Sequence, residues 1–296
     1  MGHGKLKKFA ENETFRCLLQ PDAASVLAKP EGSKELILRD HAIKGRWNAE
    51  MFEKPQPIVV ELGCGKGDYT IALARRHPEM NFIGVDIKGA RLWKGAKEAT
   101  EDALGNVAFL RTRIEFIDAF FGPSEVSEIW LTFSDPQLRG SENARLTSPL
   151  FLQRYRRFLK PDGVVHLKTD SRFLYEYTQS VIRANDLQVL ASGTDIYNEG
   201  IQVNPSVMAG STGHLVIPGQ AGNGDCAHLP DLPAVFEVQT FYETMFLKMG
   251  LPITYLSFRL EHAGEGFAYP TDFDAAFWRE AEGPRRSFSH QPAKRQ

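Results

Sequence analysis

Apolar and polar residues follow two alternating periods along the middle of the chain. Short runs rich in β-branched and aromatic residues predict strands, and each is followed by a stretch with apolar positions at helical spacing. The predicted strands lie at 58–60, 81–86, 106–113, 127–136, 164–170, near 187–197 and at 253–260. This alternation predicts an α/β fold with a doubly wound, mostly parallel sheet of seven strands, which binds its ligand at the carboxyl ends of the strands.

The flanking regions lack this alternation. The chain divides into an N-terminal extension at 1–54, a core domain at 55–260 and a C-terminal tail at 261–296 in which no element is predicted. Lys5, Lys7 and Lys8 form a basic start without packing of its own, either a solvated tail or an arm that becomes ordered on a ligand. Within the core domain, we predict an irregular insertion at 198–233 and one continuous helix at 235–250.

A glycine-rich turn follows the first predicted strand. Gly63, Gly65 and Gly67 stand at alternate positions, and a helical pattern begins directly after them. Glycines have no Cβ atom and let the backbone approach a ligand closely, while the helix N-terminus offers free N–H groups. Strand, glycine turn and helix are typical of the opening of a nucleotide-binding βαβ unit, although glycines alone are also compatible with a plain tight turn.

The spacing of these glycines differs from that of a dinucleotide fingerprint. The pattern G-x-G-x-x-G requires a glycine where Asp68 stands, whereas the chain reads E-x-G-x-G-x-G from Glu61 to Gly67. About 20 residues further on, Asp86 ends the second predicted strand, where an acid can accept both hydroxyls of an adenosine ribose. This combination resembles the first motif of Rossmann-like methyltransferases that bind S-adenosylmethionine.

Composition matters mainly for what it excludes. The 296 residues are 42% hydrophobic and 24% charged, which is ordinary for a globular protein. The N-terminus lacks an apolar signal region and no run approaches roughly 18 apolar residues, so we expect neither a signal peptide nor a membrane span. The chain has three cysteines, Cys17, Cys64 and Cys226, and none of them has C-x-x-C spacing. This pattern indicates a reduced cytoplasmic protein without a structural zinc. His214 and His228 lie near Cys226 without a recognisable metal-ligand spacing.

Four further motifs follow in order behind the later strands. They are F-S-D-P at 133–136, R-L-T-S at 145–148, L-K-T-D at 167–170 and T-F-Y-E at 240–243. Together with the glycine turn they resemble the bacterial tRNA (guanine-N7-)-methyltransferases, from the basic start to about residue 260 and without the insertion. The resemblance implies a class I methyltransferase fold, S-adenosylmethionine as the cofactor, and methyl transfer to N7 of a guanosine in the variable loop of tRNA, at tRNA position 46.

The resemblance also implies roles for individual residues. It places Glu61, Gly63, Gly65, Gly67, Asp86, Ile114 and Asp135 at the cofactor, and Arg139, Asp170, Thr240 and Glu243 at the substrate. Asp135 matches the acid that lies between cofactor and substrate and is named catalytic in the family. No residue is implied as a metal ligand.

Two segments depart from the family pattern. The family often reads D-P-W-P-K followed by basic residues, whereas this chain reads D-P-Q-L-R and has Glu142 and Ala144 in the basic region. The family's acid after the third strand is replaced by Arg113, beside Ile114. We expect these changes to affect the affinity for RNA and the contacts with adenine more than the class of reaction.

The chemistry of guanine N7 agrees with these residues. N7 carries a lone pair and no proton, so methyl transfer from a sulfonium needs alignment rather than a strong base. The N1–H and N2 amino groups of guanine are donors, for which Asp135, Asp170 and Glu243 are suitable acceptors. Each acid is also compatible with a helix cap or a loop, and Thr240 and Glu243 have capping-box spacing, so both kinds of role stay open.

Affinity for tRNA has to come from local patches, because the net charge is −2. The candidate phosphate contacts are Lys5, Lys7, Lys8, Arg139, Arg145, Arg154 and Arg157. Two other functions remain open, a methyltransferase acting on a small molecule, which would not need the later motifs, and a non-catalytic RNA-binding module that keeps the fold. The sequence leaves open whether the protein is a monomer or a homodimer.

Overall fold

A mixed β-sheet runs through the part of the protein that the computed structural model describes, residues 3–32, 35–207, 215–216 and 231–283. The strands are β1 Leu18–Leu19, β2 Leu27–Ala28, β3 Ile37–Leu38, β4 Ile58–Leu62, β5 Asn81–Asp86, β6 Val107–Arg111, β7 Val126–Thr132, β8 Leu159–Thr169, β9 Val189–Gly193, β10 Ile201–Val203, β11 Leu215–Val216 and β12 Thr254–Arg259. Strands β2 and β3 form a small antiparallel ribbon, and the other ten form one sheet in the order β1-β6-β5-β4-β7-β8-β12-β9-β10-β11.

Helices lie on both faces of this sheet. They are α1 His3–Asn12, α2 Trp47–Glu50, α3 Asp68–Arg76, α4 Gly89–Glu101, α5 Pro149–Tyr155, α6 Arg172–Ala184, α7 Leu232–Glu237, α8 Phe241–Lys248 and α9 Ala275–Glu282. Of these, α1 and α9 pack on other helices. Short 3-10 turns stand at Ile114–Ala119 and Glu142–Ala144.

The seven central strands confirm the predicted sheet. From β6 through β5, β4 and β7 to β8 every pairing is parallel, and β12 runs antiparallel to both β8 and β9. Strand β1 extends one edge by pairing with β6, and β10 and β11 extend the other. The fold is therefore the predicted doubly wound, mostly parallel α/β type, with short strands added at its edges.

Strand β4 shows why the first predicted strand reads as a continuous apolar run. Ile58, Val60 and Leu62 belong to the core on one face of the sheet, and Val59 belongs to the core on the other. Side chains alternate between the two faces of a strand, and a strand covered on both faces buries all of them. The core with Val59 includes residues of α3, α4, α7 and α8, whereas α5 and α6 contribute to the opposite core.

The prediction for the basic start is wrong. Residues 3–12 form helix α1, which packs on α4. The amide of Asn12 donates to the carbonyl of Gly89 at 2.9 Å, the indole of Trp93 donates to Glu11 at 2.5 Å, and the ammonium group of Lys8 lies 4.3 Å from the centre of the Trp93 ring. The sequence pattern missed this helix because its partner surface lies on α4, far along the chain.

Two predictions within the core domain also need correction. The continuous helix expected at 235–250 is two helices, α7 and α8, separated by an extended residue at Val238. The insertion at 198–233 is not wholly irregular, because β10 pairs with β9 through Val203 and Ala191. The histidines and the cysteine considered as metal ligands at 214, 226 and 228 lie outside the described residues.

Candidate active site

A large cavity opens at the carboxyl ends of the central parallel strands. Its volume is about 1580 Å³, and the segments that follow β4, β5, β6, β7 and β8 line it. The chain reverses its winding at β4, which has β5 on one side and β7 on the other. A crevice at such a switch point is where open α/β sheets bind ligands. The cavity therefore lies where the sequence pattern predicts the ligand.

The glycine turn forms one wall of this cavity. Gly63, Gly65 and Gly67 have φ angles of 82°, 59° and 77°, a region that residues with a side chain rarely adopt. A Cβ atom at Gly67 would lie 2.6 Å from the Phe109 ring, so this position also has no room for a side chain. The turn leads directly into α3, whose first backbone N–H groups have no helical partner.

Asp86 is buried beside the glycine turn and lines the cavity. Its Oδ2 accepts from the backbone N–H of Gly65 at 3.1 Å, and its Oδ1 accepts from that of Lys88 at 2.7 Å. These bonds fix the carboxylate at the end of β5. Each carboxylate oxygen has two lone pairs, so both oxygens retain an acceptor site for a ligand.

Glu61 has a structural task that the sequence did not reveal. One oxygen accepts from the backbone N–H of Thr70 at 2.9 Å and from the Thr70 hydroxyl, and the other accepts from the hydroxyl of Thr132. Burial raises the pKa of the Glu61 carboxyl, while the hydrogen bonds from Thr132 and Thr70 act in the opposite direction. Glu61 thus joins β4 to α3 and β7 at the floor of the cavity.

The segment after β6 supplies another part of the wall. Ile114 begins a 3-10 turn and lines the cavity together with Arg113 and Glu115. The guanidinium group of Arg113 and the carboxylate of Glu115 form an ion pair at 3.1 Å. Arg113, which replaces the acid of the family pattern, is therefore paired locally, and the apolar side chain of Ile114 stands next to it.

Asp135 lies in the loop after β7, on the cavity wall and exposed. Its Oδ1 accepts from the backbone N–H of Gln137 at 2.9 Å. Phe133 and Gln137, which flank it at a distance of two residues, both have a φ of 51°. Positive φ angles in residues other than glycine cost free energy and are often found at functional sites, because the surrounding structure has to maintain them.

Asp170 and Thr240 come from different elements and line the same cavity. Asp170 follows β8 directly and is half-buried, and Thr240 is the N-cap of α8. The exposed rings of Phe241 and Tyr242, in the first turn of α8, also stand on the cavity wall. The structure therefore brings the L-K-T-D and T-F-Y-E motifs together beside the Asp135 loop.

Glu243 does not line this cavity, and its predicted direct contact with substrate has no support in the geometry. Its backbone N–H donates to Thr240 Oγ1 at 3.1 Å, and its carboxylate accepts from the backbone N–H of Thr240 at 3.3 Å, which is a complete capping box. The same carboxylate forms an ion pair with Lys168 at 2.7 Å and accepts from the Tyr197 hydroxyl at 2.8 Å. Both side chains of the ion pair are fully buried.

Lys168 is a residue that sequence reasoning missed. Besides the ion pair with Glu243, its ammonium group donates to the carbonyls of Val235 at 2.5 Å and Val238 at 3.0 Å. Burial lowers the pKa of Lys168, and the neighbouring Glu243 carboxylate acts in the opposite direction. Lys168 supplies donors to the carbonyl of Val235 near the end of α7 and to that of Val238 in the junction, which explains how the chain can break between α7 and α8. The sequence signal was a lysine within the L-K-T-D motif, at the buried end of a predicted strand.

Three of the seven candidate phosphate contacts come from the segment between β7 and the end of α5, and they fall into two groups. Arg139 is exposed and Arg154 half-buried, and both line the cavity. Arg145 is 5% exposed, donates to the carbonyl of Pro136 at 3.4 Å and lies 4.5 Å from the centre of the Tyr177 ring. The prediction that Arg145 contacts phosphate is therefore wrong, because its guanidinium group is enclosed beneath the Asp135 loop.

A family model described as "Putative methyltransferase" matches residues 55–210 of this chain. The tRNA (guanine-N(7)-)-methyltransferase of Christiangramia forsetii is 42% identical over 258 residues, which cover 87% of this chain and 98% of that protein. The protein of the same name from Bacteroides thetaiotaomicron is 41% identical over 264 residues, which cover 89% of this chain and 88% of that protein.

A likeness to solved structures was also found. The 16S rRNA methyltransferase KamB superposes with a TM-score of 0.49 at 13% identity, over 76% of this chain and 96% of that chain. Among the helices that the structure describes, none has the length and apolar character needed to cross a lipid bilayer.

Proposed function

Because the chain belongs to the family of tRNA (guanine-N(7)-)-methyltransferases, we propose that it methylates N7 of a guanosine in tRNA with S-adenosylmethionine as the methyl donor. The substrate position is the guanosine at position 46 of the variable loop. The observation that carries the proposal is the meeting of the glycine turn, Asp86 and Asp135 in one cavity. The scattered cysteines of the sequence agree with a cytoplasmic location.

The residues of this cavity fit S-adenosylmethionine. The glycine turn provides a wall without side chains and leads to the N-terminus of α3, where a carboxylate is favourable. Asp86 keeps acceptor sites for the ribose hydroxyls, and Ile114 offers an apolar surface for the adenine ring. When bound, this cofactor supplies an electrophilic methyl group on a sulfonium. Glu61 holds the floor beneath it through Thr70 and Thr132.

The guanine is held by the opposite wall of the cavity. Asp135 and Asp170 are acceptors for its N1–H and N2 amino groups, and the exposed rings of Phe241 and Tyr242 offer faces for base stacking. Glu243 acts indirectly, because its capping box and its ion pair with Lys168 orient the helix that carries those rings. An acid at Asp135 also favours the positive charge that develops on the guanine ring.

Replacing Asp86 by alanine is expected to weaken S-adenosylmethionine binding by about 1.5–3 kcal/mol, the range for hydrogen bonds to a charged acceptor. Isothermal titration calorimetry measures this directly. Asp102→Ala is the matched control, because Asp102 pairs with Arg75 on the surface and does not line the cavity. An unchanged dissociation constant for Asp86→Ala would remove the ribose assignment.

Helix α1 adds positive charge beside the cavity. It contacts α4 next to Gly89, and Lys88 and Arg91 of the same region line the cavity. Lys5 and Lys7 are exposed, and Lys8 is held against Trp93. A rim of this kind gives a protein of net charge −2 a local site for the phosphates of RNA.

Changing Lys5, Lys7 and Lys8 together to glutamine is expected to reduce the slope of log affinity for tRNA against log salt. Each phosphate contact that is lost lowers this slope by about 0.7–0.9. The control changes Lys54, Lys160 and Lys248, which lie outside α1 and the cavity wall. Fluorescence titrations at several salt concentrations provide the slopes. Equal slopes for the two triple variants would show that α1 does not bind RNA.

The function is tested by measuring 7-methylguanosine in tRNA incubated with the protein and labelled S-adenosylmethionine. We expect label in tRNA with guanosine at position 46 and none in the same tRNA with adenosine there. Label in the tRNA with adenosine at position 46 would refute position 46 as the methylated site. Absence of label in both, with cofactor binding intact, would refute the tRNA assignment and favour a small-molecule substrate.

A further inference from the structure

The C-terminal segment, defined as residues 261–283, reaches back to the active-site cavity. The guanidinium group of Arg156 donates to the carbonyls of His262 at 2.8 Å and Gly264 at 2.6 Å, which fixes the start of the segment at the C-terminal end of α5. Further along, Phe273 packs edge-on against Phe173 of α6, with ring centres 5.1 Å apart. The segment therefore follows the body of the protein closely, although the sequence pattern predicted no element in it.

Glu282 docks the end of α9 on the N-terminus of α6. One of its oxygens accepts from the hydroxyl of Ser171 at 2.5 Å, and the other accepts from the backbone N–H of Phe173 at 2.9 Å. A carboxylate at a helix N-terminus is stabilised by the free N–H groups and by the helix dipole. Ser171 follows Asp170 directly in the chain, so this contact fixes α9 beside a residue of the cavity wall.

Arg279 is thereby placed at the cavity. Its Nε donates to the carbonyl of Leu138 at 2.7 Å, in the loop that carries Asp135, and its exposed side chain lines the cavity. A guanidinium group has five N–H donors, so with respect to the described residues four remain on the two terminal nitrogens of Arg279. By contrast, Arg113 and Arg157 are paired with carboxylates.

We propose that Arg279 is an RNA-binding residue, brought to the active site by the C-terminal helix, and that its terminal nitrogens bind a backbone phosphate next to the target guanosine. The assignment rests on the proposed function. The planar fork of arginine matches a phosphate with two parallel hydrogen bonds. Arg139 follows Leu138 directly, so two guanidinium groups stand at one loop. These two guanidinium groups supply positive charge next to Glu142 and Ala144, which stand where the family pattern has basic residues.

Arg279→Met tests this assignment, because it removes the charge and keeps most of the length of the side chain. We expect the slope of log affinity for tRNA against log salt to fall by about 0.7–0.9, which corresponds to about sixfold weaker binding at 0.1 M salt. Affinity for S-adenosylmethionine should not change. Arg183→Met is the matched control, since Arg183 pairs with Asp272 of the same segment at 2.8 Å and does not line the cavity.

Arg279→Lys separates phosphate binding from a structural role. Lysine keeps the charge, so the salt slope should stay near that of the wild type while affinity falls with the loss of the planar fork. If Arg279→Lys and Arg279→Met lower the salt slope by the same amount, the proposal is overturned, and the role of Arg279 is its structural hydrogen bond to Leu138. An unchanged slope in Arg279→Met, or an equal change in Arg183→Met, would also overturn it. If the affinity of the wild type for tRNA does not depend on salt, the tRNA function is refuted as well. If the wild type methylates tRNA but Arg279→Met leaves the salt slope unchanged, only the assignment of Arg279 is refuted.

Discussion

Replacing Lys168 by methionine is expected to lower the free energy of unfolding by about 3–5 kcal/mol, the cost of leaving one partner of a buried ion pair behind. The Glu243 carboxylate would remain fully buried without its cation, and the carbonyls of Val235 and Val238 would lose their donor. Urea unfolding followed by circular dichroism measures this loss. Methionine is close to lysine in length, so the effect comes from the lost ammonium group rather than from a cavity.

Lys248→Met is the matched control for this variant. Lys248 stands exposed in the last turn of α8, the helix that Glu243 caps, and its change should cost less than about 0.5 kcal/mol. The double variant Lys168→Met with Glu243→Leu should recover part of the loss, because no unpaired charge stays buried. If Lys168→Met unfolds at the same urea concentration as the control, the ion pair does not stabilise the junction of α7 and α8.

Replacing Asp135 by asparagine should reduce the turnover of tRNA methylation by about 10²-fold, equivalent to about 2.7 kcal/mol of transition-state stabilisation. Asparagine can still accept the hydrogen bond from the backbone of Gln137, so the loop with its two positive φ angles should be maintained. The variant loses the negative charge beside a guanine ring that becomes positive during methyl transfer. It also exchanges one carboxylate oxygen, an acceptor, for an amide nitrogen, a donor. Single-turnover methylation with saturating cofactor gives the rate.

Asp162→Asn serves as the control, since Asp162 is exposed on β8 and does not line the cavity. Thermal melts of both variants should match that of the wild type, because Asp135 is exposed and its charge has no ion-pair partner to lose among the described residues. A wild-type rate for Asp135→Asn would refute its catalytic role. A large fall in melting temperature would instead show that the aspartate maintains the loop.

The local patterns of the sequence were sufficient for the framework of the fold. The alternate glycines and Asp86 interact within one βαβ unit, so their spacing in the chain records their geometry, and the apolar run at 58–60 records that its strand is covered on both faces. The parallel pairing of β6, β5, β4, β7 and β8 follows in the same way from alternating strands and helices, whereas the place of antiparallel β12 between β8 and β9 does not. The cavity lies at the edge of the sheet where this topology places it.

The roles of several charged residues were decided by contacts between distant parts of the chain. Thr240 and Glu243 have capping-box spacing, and the sequence, by resemblance, placed them at the substrate while leaving a cap open. Only the position of β8 against α8 brings Lys168 to Glu243 and removes that carboxylate from the cavity. Arg145 likewise reads as a surface cation until α6 places Tyr177 against it.

By itself, therefore, the sequence determined the strands, the glycine turn and the acids at the strand ends, because these features follow from periodicity and local backbone chemistry. The tertiary structure alone decided which charges are buried, that α1 packs on α4, and that Arg279 reaches the Asp135 loop. Such contacts join residues separated by tens of positions or more, and their free energy depends on how the sheet brings surfaces together. No period along the chain records that arrangement.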